Sequence, residues 1–191
     1  MLDGLNVDEF SKNMSKEKGI FEMSVNYLEQ LIAEWYEYPG YFVRRNVLVG
    51  KRVKGGYECE LDIVAFHPMD KKLVHVEPSM DADSWAVREK RYKKKFDAGE
   101  TYIPALFQGF DLPGDIEKIA VLVFASKQNH EFLGGGRLML ASELLEMIFT
   151  ALKDKHLSSN AIPEHSTILR SFQFVTEYKD TVMRAWQVHR L

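Results

Sequence analysis

Acidic side chains that recur on one face of a strand, among apolar neighbours, are placed to hold a positive charge. The stretch Gly56–Ser79 has this pattern. With the two-residue period of an extended chain, Glu58, Glu60, Asp62, Val64 and Phe66 point one way, and Tyr57, Cys59, Leu61, Ile63 and Ala65 the other. The polar segment His67–Lys72 contains a proline and reads as a turn. In the next strand Leu73, His75, Glu77 and Ser79 share a face against Val74 and Val76. If the two strands pair, Asp62 and Glu77 come together. Both strands are apolar on much of both faces, as in a sheet covered on each side. An unpaired buried carboxylate is costly, so the pair calls for a partner, and a divalent cation is the obvious one. The alternative is a surface hairpin with solvated acids, against which Val64, Phe66 and Leu73 argue. Cys59 points away from the acids, into the core. His75, on the acidic face, reads as structural more readily than as a ligand or base.

The surrounding elements follow from pattern and punctuation. Residues 20–37 predict a helix with Phe21, Val25, Leu28, Ile32 and Trp35 on one face, stopped by Pro39-Gly40. Tyr41–Val49 reads as a strand and Gly50–Gly56 as a basic, glycine-rich hairpin. After the two acidic strands, Ser84 to about Ala98 predicts a second helix, with Trp85, Glu89, Tyr92 and Phe96 as its stripe and Gly99 as its stop. Ile119–Ala125 is an apolar run suited to a buried strand. Gly134-Gly135-Gly136 has no phosphate-loop lysine and reads as a turn into a short strand, Arg137–Leu140, followed by a helix from Ser142 to Leu152. Residues 166–191 favour helix through Ile168, Phe172, Val175 and Val182. The expectation is one α/β domain over 1–191, with a core at about 20–155 and an extension at about 156–191.

Composition narrows the function classes. A 46% hydrophobic and 12% aromatic content argues against disorder, and a net charge of −3 confines any nucleic-acid contact to local basic patches. The single cysteine excludes an internal disulfide and a cysteine zinc cluster. Neither a signal peptide nor a membrane-spanning run is visible, so a soluble, cytoplasmic protein without a membrane partner is expected.

Asp62, a gap of fourteen residues and then Glu77-x-Ser79 resemble the motif of the PD-(D/E)xK, or restriction-endonuclease-like, nuclease superfamily. The Glu60-Leu-Asp-Ile-Val-Ala65 run is similar to that of its Holliday-junction-resolvase and Mrr-like branches. The resemblance covers roughly residues 20–126 and implies a central mixed sheet flanked by helices, with core order α-β-β-β-α-β. That order matches the elements read above. The resemblance implies that Asp62 and Glu77 bind magnesium or manganese, and that the third motif position helps activate water. Ser79 stands there instead of lysine.

Further site residues follow from that frame. Glu60 could add a ligand. The first helix often contributes an acid in this superfamily, and Glu22 and Glu29 flank its apolar stripe while Glu34 and Glu37 fall on the far side. Asp62 lies about four residues, roughly 13 Å, in from the strand end. The same distance back along the helix, at about 1.5 Å per residue, lands near Glu29. For the missing lysine the second helix offers Lys93, on one flank of its stripe, while Arg88 on the other is assigned to phosphate contact. Two basic clusters, Arg44, Arg45, Lys51, Arg52 and Lys54 around the hairpin and Arg88, Lys90, Arg91, Lys93, Lys94 and Lys95 on the second helix, flank the acids, with Tyr41, Tyr57 and Tyr92 nearby, and point to DNA. The expected function is metal-dependent hydrolysis of DNA phosphodiester bonds. The alternative is a nuclease-fold module that has lost catalysis and serves in DNA binding or assembly. A third reading is a structural partner protein without nucleic acid. Many enzymes of this fold pair to cut both strands, so the resemblance also allows a homodimer.

Overall fold

The computed structural model describes residues 26–127 and 130–187. Residues 1–18, whose polar, charged sequence reads as a loose arm or a short helix, and the first turns of the expected first helix, with Phe21, Glu22 and Val25, lie outside the described residues. Helix α1 (Tyr27–Glu37) opens at Asn26, whose side-chain oxygen accepts the Leu28 N–H at 3.2 Å. It buries Leu28, Leu31, Ile32 and Ala33.

Strands β1 (Phe42–Val49), β2 (Cys59–His67), β3 (Lys72–Ser79), β4 (Glu117–Leu122), β5 (Phe132–Leu133) and β6 (Gly136–Leu140) form one six-stranded sheet in the order β1-β2-β3-β4-β6-β5. β1, β2 and β3 are antiparallel neighbours; β3, β4 and β6 run parallel, and β5 is antiparallel to β6. Helix α2 (Trp85–Leu106) joins β3 to β4, α3 (Ala141–Leu152) follows β6, and α4 (Thr167–Glu177) and α5 (Lys179–Gln187) close the described chain. The protein is a mixed α/β fold: a mixed sheet flanked by helices. Among the described residues no helix is long and apolar enough to cross a membrane.

The two sheet faces are covered differently. On one, α1, α3 and α4 bury Leu28, Ile32, Ile148, Leu152 and Leu169 against Ile63, Val74, Val76 and Val121. Leu169 belongs to this cluster, so α4 shares the main core. On the other, α2 packs Tyr92, Phe96, Ala98 and Ile103 over Leu61, Val64, Phe66, Leu73 and the β4–β6 region.

Three expectations are corrected. Gly99 does not stop α2, which runs on to Leu106 with Pro104 in its last turn. A side chain at 99 would bring its Cβ to 2.3 Å from His75 Nδ1, so the glycine admits the histidine ring against the helix backbone. β4 ends at Leu122, not Ala125. Alternation along β2 also fails at one step: Leu61 joins the cluster of Val64 and Phe66, not that of Ile63. Asn46 of β1 lies opposite this point, between the pairs Arg45↔Ile63 and Val47↔Leu61, and its φ of 53° is left-handed. Asparagine tolerates that conformation better than most residues, and it kinks the edge strand beside Asp62.

Candidate active site

The β2–β3 ladder runs from His67↔Lys72 to Ile63↔Val76 and stops one pair short of Asp62 and Glu77. β3 continues alone with β4 as far as Ser79↔Leu122. In place of a backbone carbonyl, Glu77 Oε1 accepts the Asp62 N–H at 3.2 Å. The sheet therefore forks here. The fork brings the two predicted acids together, and Pro78, which has no N–H to give, lies beyond the last β2–β3 pair, where no ladder bond to β2 is lost.

Lys95 of α2 reaches into the fork. Its Nζ donates to Asp62 Oδ1 at 2.6 Å and to Glu77 Oε2. Only 1% of the Glu77 side chain, 15% of Asp62 and 22% of Lys95 meets solvent, so the trio is largely withdrawn from water yet open on one side. Burial alone would discharge the ammonium, but the charges of Glu77 and Asp62 outweigh it and raise the Lys95 pKa. Burial, then the neighbouring Glu77 charge, pushes the Asp62 carboxyl up to about 7. Burial likewise raises Glu77 against the hydrogen bonds from Asp62 and Lys95. One ammonium neutralises one of two carboxylates. With both acids ionised the trio is short of one positive charge, which a proton on Asp62 or a cation would supply.

His75 completes the group from behind. Its Nε2 lies 2.7 Å from Glu77 Oε1, the ring is fully buried, and Phe96 meets it edge-on at 5.1 Å. Burial, then the Lys95 charge, lowers its pKa to about 3, so the ring is neutral at physiological pH. Since Glu77 Oε1 can only accept while Glu77 is ionised, Nε2 carries the proton and donates. Among the described residues Nδ1 has no partner.

Ser79 sits at the end of β3, where Arg91 Nη2 donates to its Oγ at 3.1 Å and the Asp81 amide at 3.1 Å. Arg91 also bridges Asp81 and Asp83 at 2.8 and 2.9 Å. Positive charge therefore does reach the third motif position, from the helix.

The other predicted residues divide. Lys93 points away, 65% exposed and paired with Asp97 at 3.1 Å; Lys95, and not Lys93, meets the acids. Arg88 is 3% exposed and donates to the Asp81 and Phe124 carbonyls, stapling two chain segments beneath Trp85, so it presents no surface guanidinium for phosphate. Arg44 donates to the Leu106 carbonyl, and Arg45, Lys51, Arg52, Lys54 and Lys90 are exposed. Glu29 bonds Asn26 at 2.6 Å; its carboxyl is raised by burial and then by the Asp62 charge, with Glu60 adding, so it shares the field of the acid pair. Glu34 is buried, but on α4: its Oε2 accepts the Ile168 and Leu169 amides at 2.9 and 2.8 Å.

A cleft of about 590 Å³ opens beside the trio, with Tyr57, Glu60, Asp62, Arg91, Lys94 and Lys95 in its lining. Protein-family models, curated proteins and solved structures give no match to this chain. The site must be read from its own geometry.

Among the described residues no three His, Cys, Asp or Glu side chains form a ready-made metal cage. The donor chemistry still fits a hard divalent ion, which takes carboxylate oxygens. Two such carboxylates already converge on one positive charge, the Lys95 ammonium.

The missed residue, Lys95, had a signal. At ~100° per residue it falls about 20° from Arg88 on a stripe that runs 88-92-96-99-103. Placing Glu89 on the stripe and Arg88 off it moves the centre of the stripe toward Lys93 and away from Lys95.

Proposed function

We propose that the chain is a metal-dependent phosphodiesterase of the restriction-endonuclease-like kind acting on DNA, with Lys95 supplying the function of the lysine replaced by Ser79. The observation that carries this reading is the ammonium of Lys95 on both Asp62 and Glu77. An acid pair and a lysine, at a fork in a sheet and open to a cleft, is what the motif requires, reached from the helix instead of the strand. The element order α1-β1-β2-β3-α2-β4 is the order the resemblance implies.

Asp62 and Glu77 would hold the magnesium or manganese, and Glu29 lies in the electrostatic field of Asp62 and Glu60. Such an ion polarises the scissile phosphate and lowers the pKa of a bound water. Lys95, on a flexible stem, offsets negative charge on the phosphate and orients water once its bond to the acids loosens. His75 holds Glu77 Oε1, so Oε2 is left to face Lys95 and the cleft. Lys94 in the cleft lining, Lys90 in the adjoining depression and the exposed Lys51, Arg52 and Lys54 of the hairpin would supply the positive surface for DNA.

The test is incubation of plasmid and branched DNA with manganese, alongside a thermal melt in the same ion. Cleavage that Asp62→Ala abolishes, with a manganese-induced rise in Tm lost in the same variant, is expected. A second reading, a nuclease-fold module that binds DNA without cutting, is favoured by the ion pair itself, since Lys95 already satisfies both acids. Binding without cleavage and without a metal-induced shift would establish it.

A further inference from the structure

Of the three tyrosines near the site, two are engaged elsewhere. Tyr92 is 2% exposed in the core, and Tyr41 packs on Tyr36 and His67 at 5.1 and 4.8 Å. Tyr57 alone of the three lines the cleft, 43% exposed, with Leu48 beside it at 50%. Both belong to the β1–β2 arm. The opposite wall is α2, which presents Arg91, Lys94 and Lys95. A second depression of about 400 Å³ shares Glu58 and Lys94 and extends the cationic wall through Lys90, while Lys93 there is paired with Asp97. The groove is thus sided: Leu48 and Tyr57 with the acids Glu58 and Glu60 on the arm, cations on the helix, and Asp62 between them.

We propose that this groove takes single-stranded DNA, with a base stacked on Tyr57 and the phosphates along Lys90 and Lys94; the proposal rests on the phosphodiesterase reading for the chemistry at Asp62 and Glu77. A single strand carries bases on one side and phosphates on the other, which matches the two walls. A duplex turns its bases inward and presents phosphate outward, leaving Tyr57 and Leu48 facing nothing apolar. Base–aromatic stacking tolerates any sequence because every base has a π face, and a cationic track beside a stacking side chain is how sequence-neutral single-strand sites are built. A cleft of about 590 Å³ is in the range of small-ligand pockets and has room for an unpaired nucleotide.

The experiment is fluorescence anisotropy on the full chain in EDTA, with labelled oligo(dT) of about 16 nucleotides and a duplex of the same length. Oligo(dT) is expected to bind more tightly. Tyr57→Ala should weaken oligo(dT) on the order of tenfold with an unchanged salt slope, and Tyr57→Trp should keep the affinity. Lys94→Ala should lower the slope by about one. Tyr57 is solvent-exposed, so matching thermal melts will show that the variants fold. Equal affinity for the duplex, or no loss in Tyr57→Ala, overturns the single-strand proposal and leaves the phosphodiesterase reading standing. No binding to either probe at low salt overturns both.

Discussion

Two buried glutamates, one on each side of the sheet, show what separates holding a fold together from holding a charge in waiting. Glu34 is 4% exposed and fully used: two backbone amides at the start of α4 and the Gln30 amide converge on it. A carboxylate at a helix N-terminus meets the positive end of the helix dipole and its free N–H groups. Glu77, 1% exposed, has a second acid beside it and one lysine between them. On its α4 side the face around Glu34 buries two further polar side chains: Gln173, which donates to the Lys155 and His156 carbonyls, and Ser166, whose Oγ lacks a partner among the described residues. The face under α2 also buries His75, Ser79 and Arg88, with His75 Nδ1 and Arg88 Nε lacking partners among the described residues. Unpaired buried polar atoms cost stability. What sets the α2 face apart is that its polar groups surround two carboxyls raised by burial, the mark of a candidate functional site.

The comparison breaks most directly at Lys95. Lys95→Met should destabilise the protein at neutral pH by about 3–5 kcal/mol, the usual loss when one member of a buried ion pair is removed. Chemical denaturation will measure it, and manganese should return part of the loss, since a cation again neutralises the acids.

Glu34→Gln should cost less, about 1–3 kcal/mol, because it weakens charge-assisted bonds without stranding an opposite charge. It should leave manganese binding unchanged by calorimetry. If Glu34→Gln altered metal binding, the two faces would not be separate in function.

Gly99→Ala sharpens the account of His75. The new methyl would meet the ring at 2.3 Å, so the ring or the helix must move. Overpacking of this kind costs about 1–3 kcal/mol. A shifted His75 releases Glu77 Oε1, so manganese affinity should fall along with stability. An equal loss of stability with unchanged affinity would mean that His75 merely fills space.

pH separates the two faces more gently. The Asp62 carboxyl titrates near 7 in the folded chain and near 3.9 when unfolded. Between those values the native state holds a proton that the unfolded chain has released. The resulting stability is complete below about 4 and is lost as pH rises toward 7. Glu77 and Glu29, both raised, add slope of the same sign. Urea midpoints taken from pH 5 to 8 without metal should fall, and Asp62→Asn should flatten the trend.

Much of this was legible in the chain. Period-two alternation places Asp62 and Glu77 on one face, and the order of elements along the chain as far as β4 follows from length and punctuation. What local pattern could not carry was contact between distant segments. Glu34 reads as a solvated helix acid because nothing in residues 20–37 announces that α4 will cover it. Gly99 reads as a stop because glycine usually is one; here it makes room for His75, twenty-four residues earlier. That reading shortens α2, while taking Arg88 as a flank instead of part of the buried stripe points to Lys93, two residues from the lysine that meets the acids. Arg88 reads as a surface cation because a charge so deeply buried, bonded only to carbonyls, is rare.

The central claim is that Lys95 takes the place of the motif lysine, and cleavage of DNA in manganese by paired lysine variants tests it most directly. Lys93→Ala, whose exposed pair with Asp97 is worth at most about 0.5 kcal/mol, should cut like the wild type. Lys95→Ala, assayed at a temperature where its melt shows it folded, should lose cleavage. Cleavage by Lys95→Ala at the wild-type rate would contradict the claim.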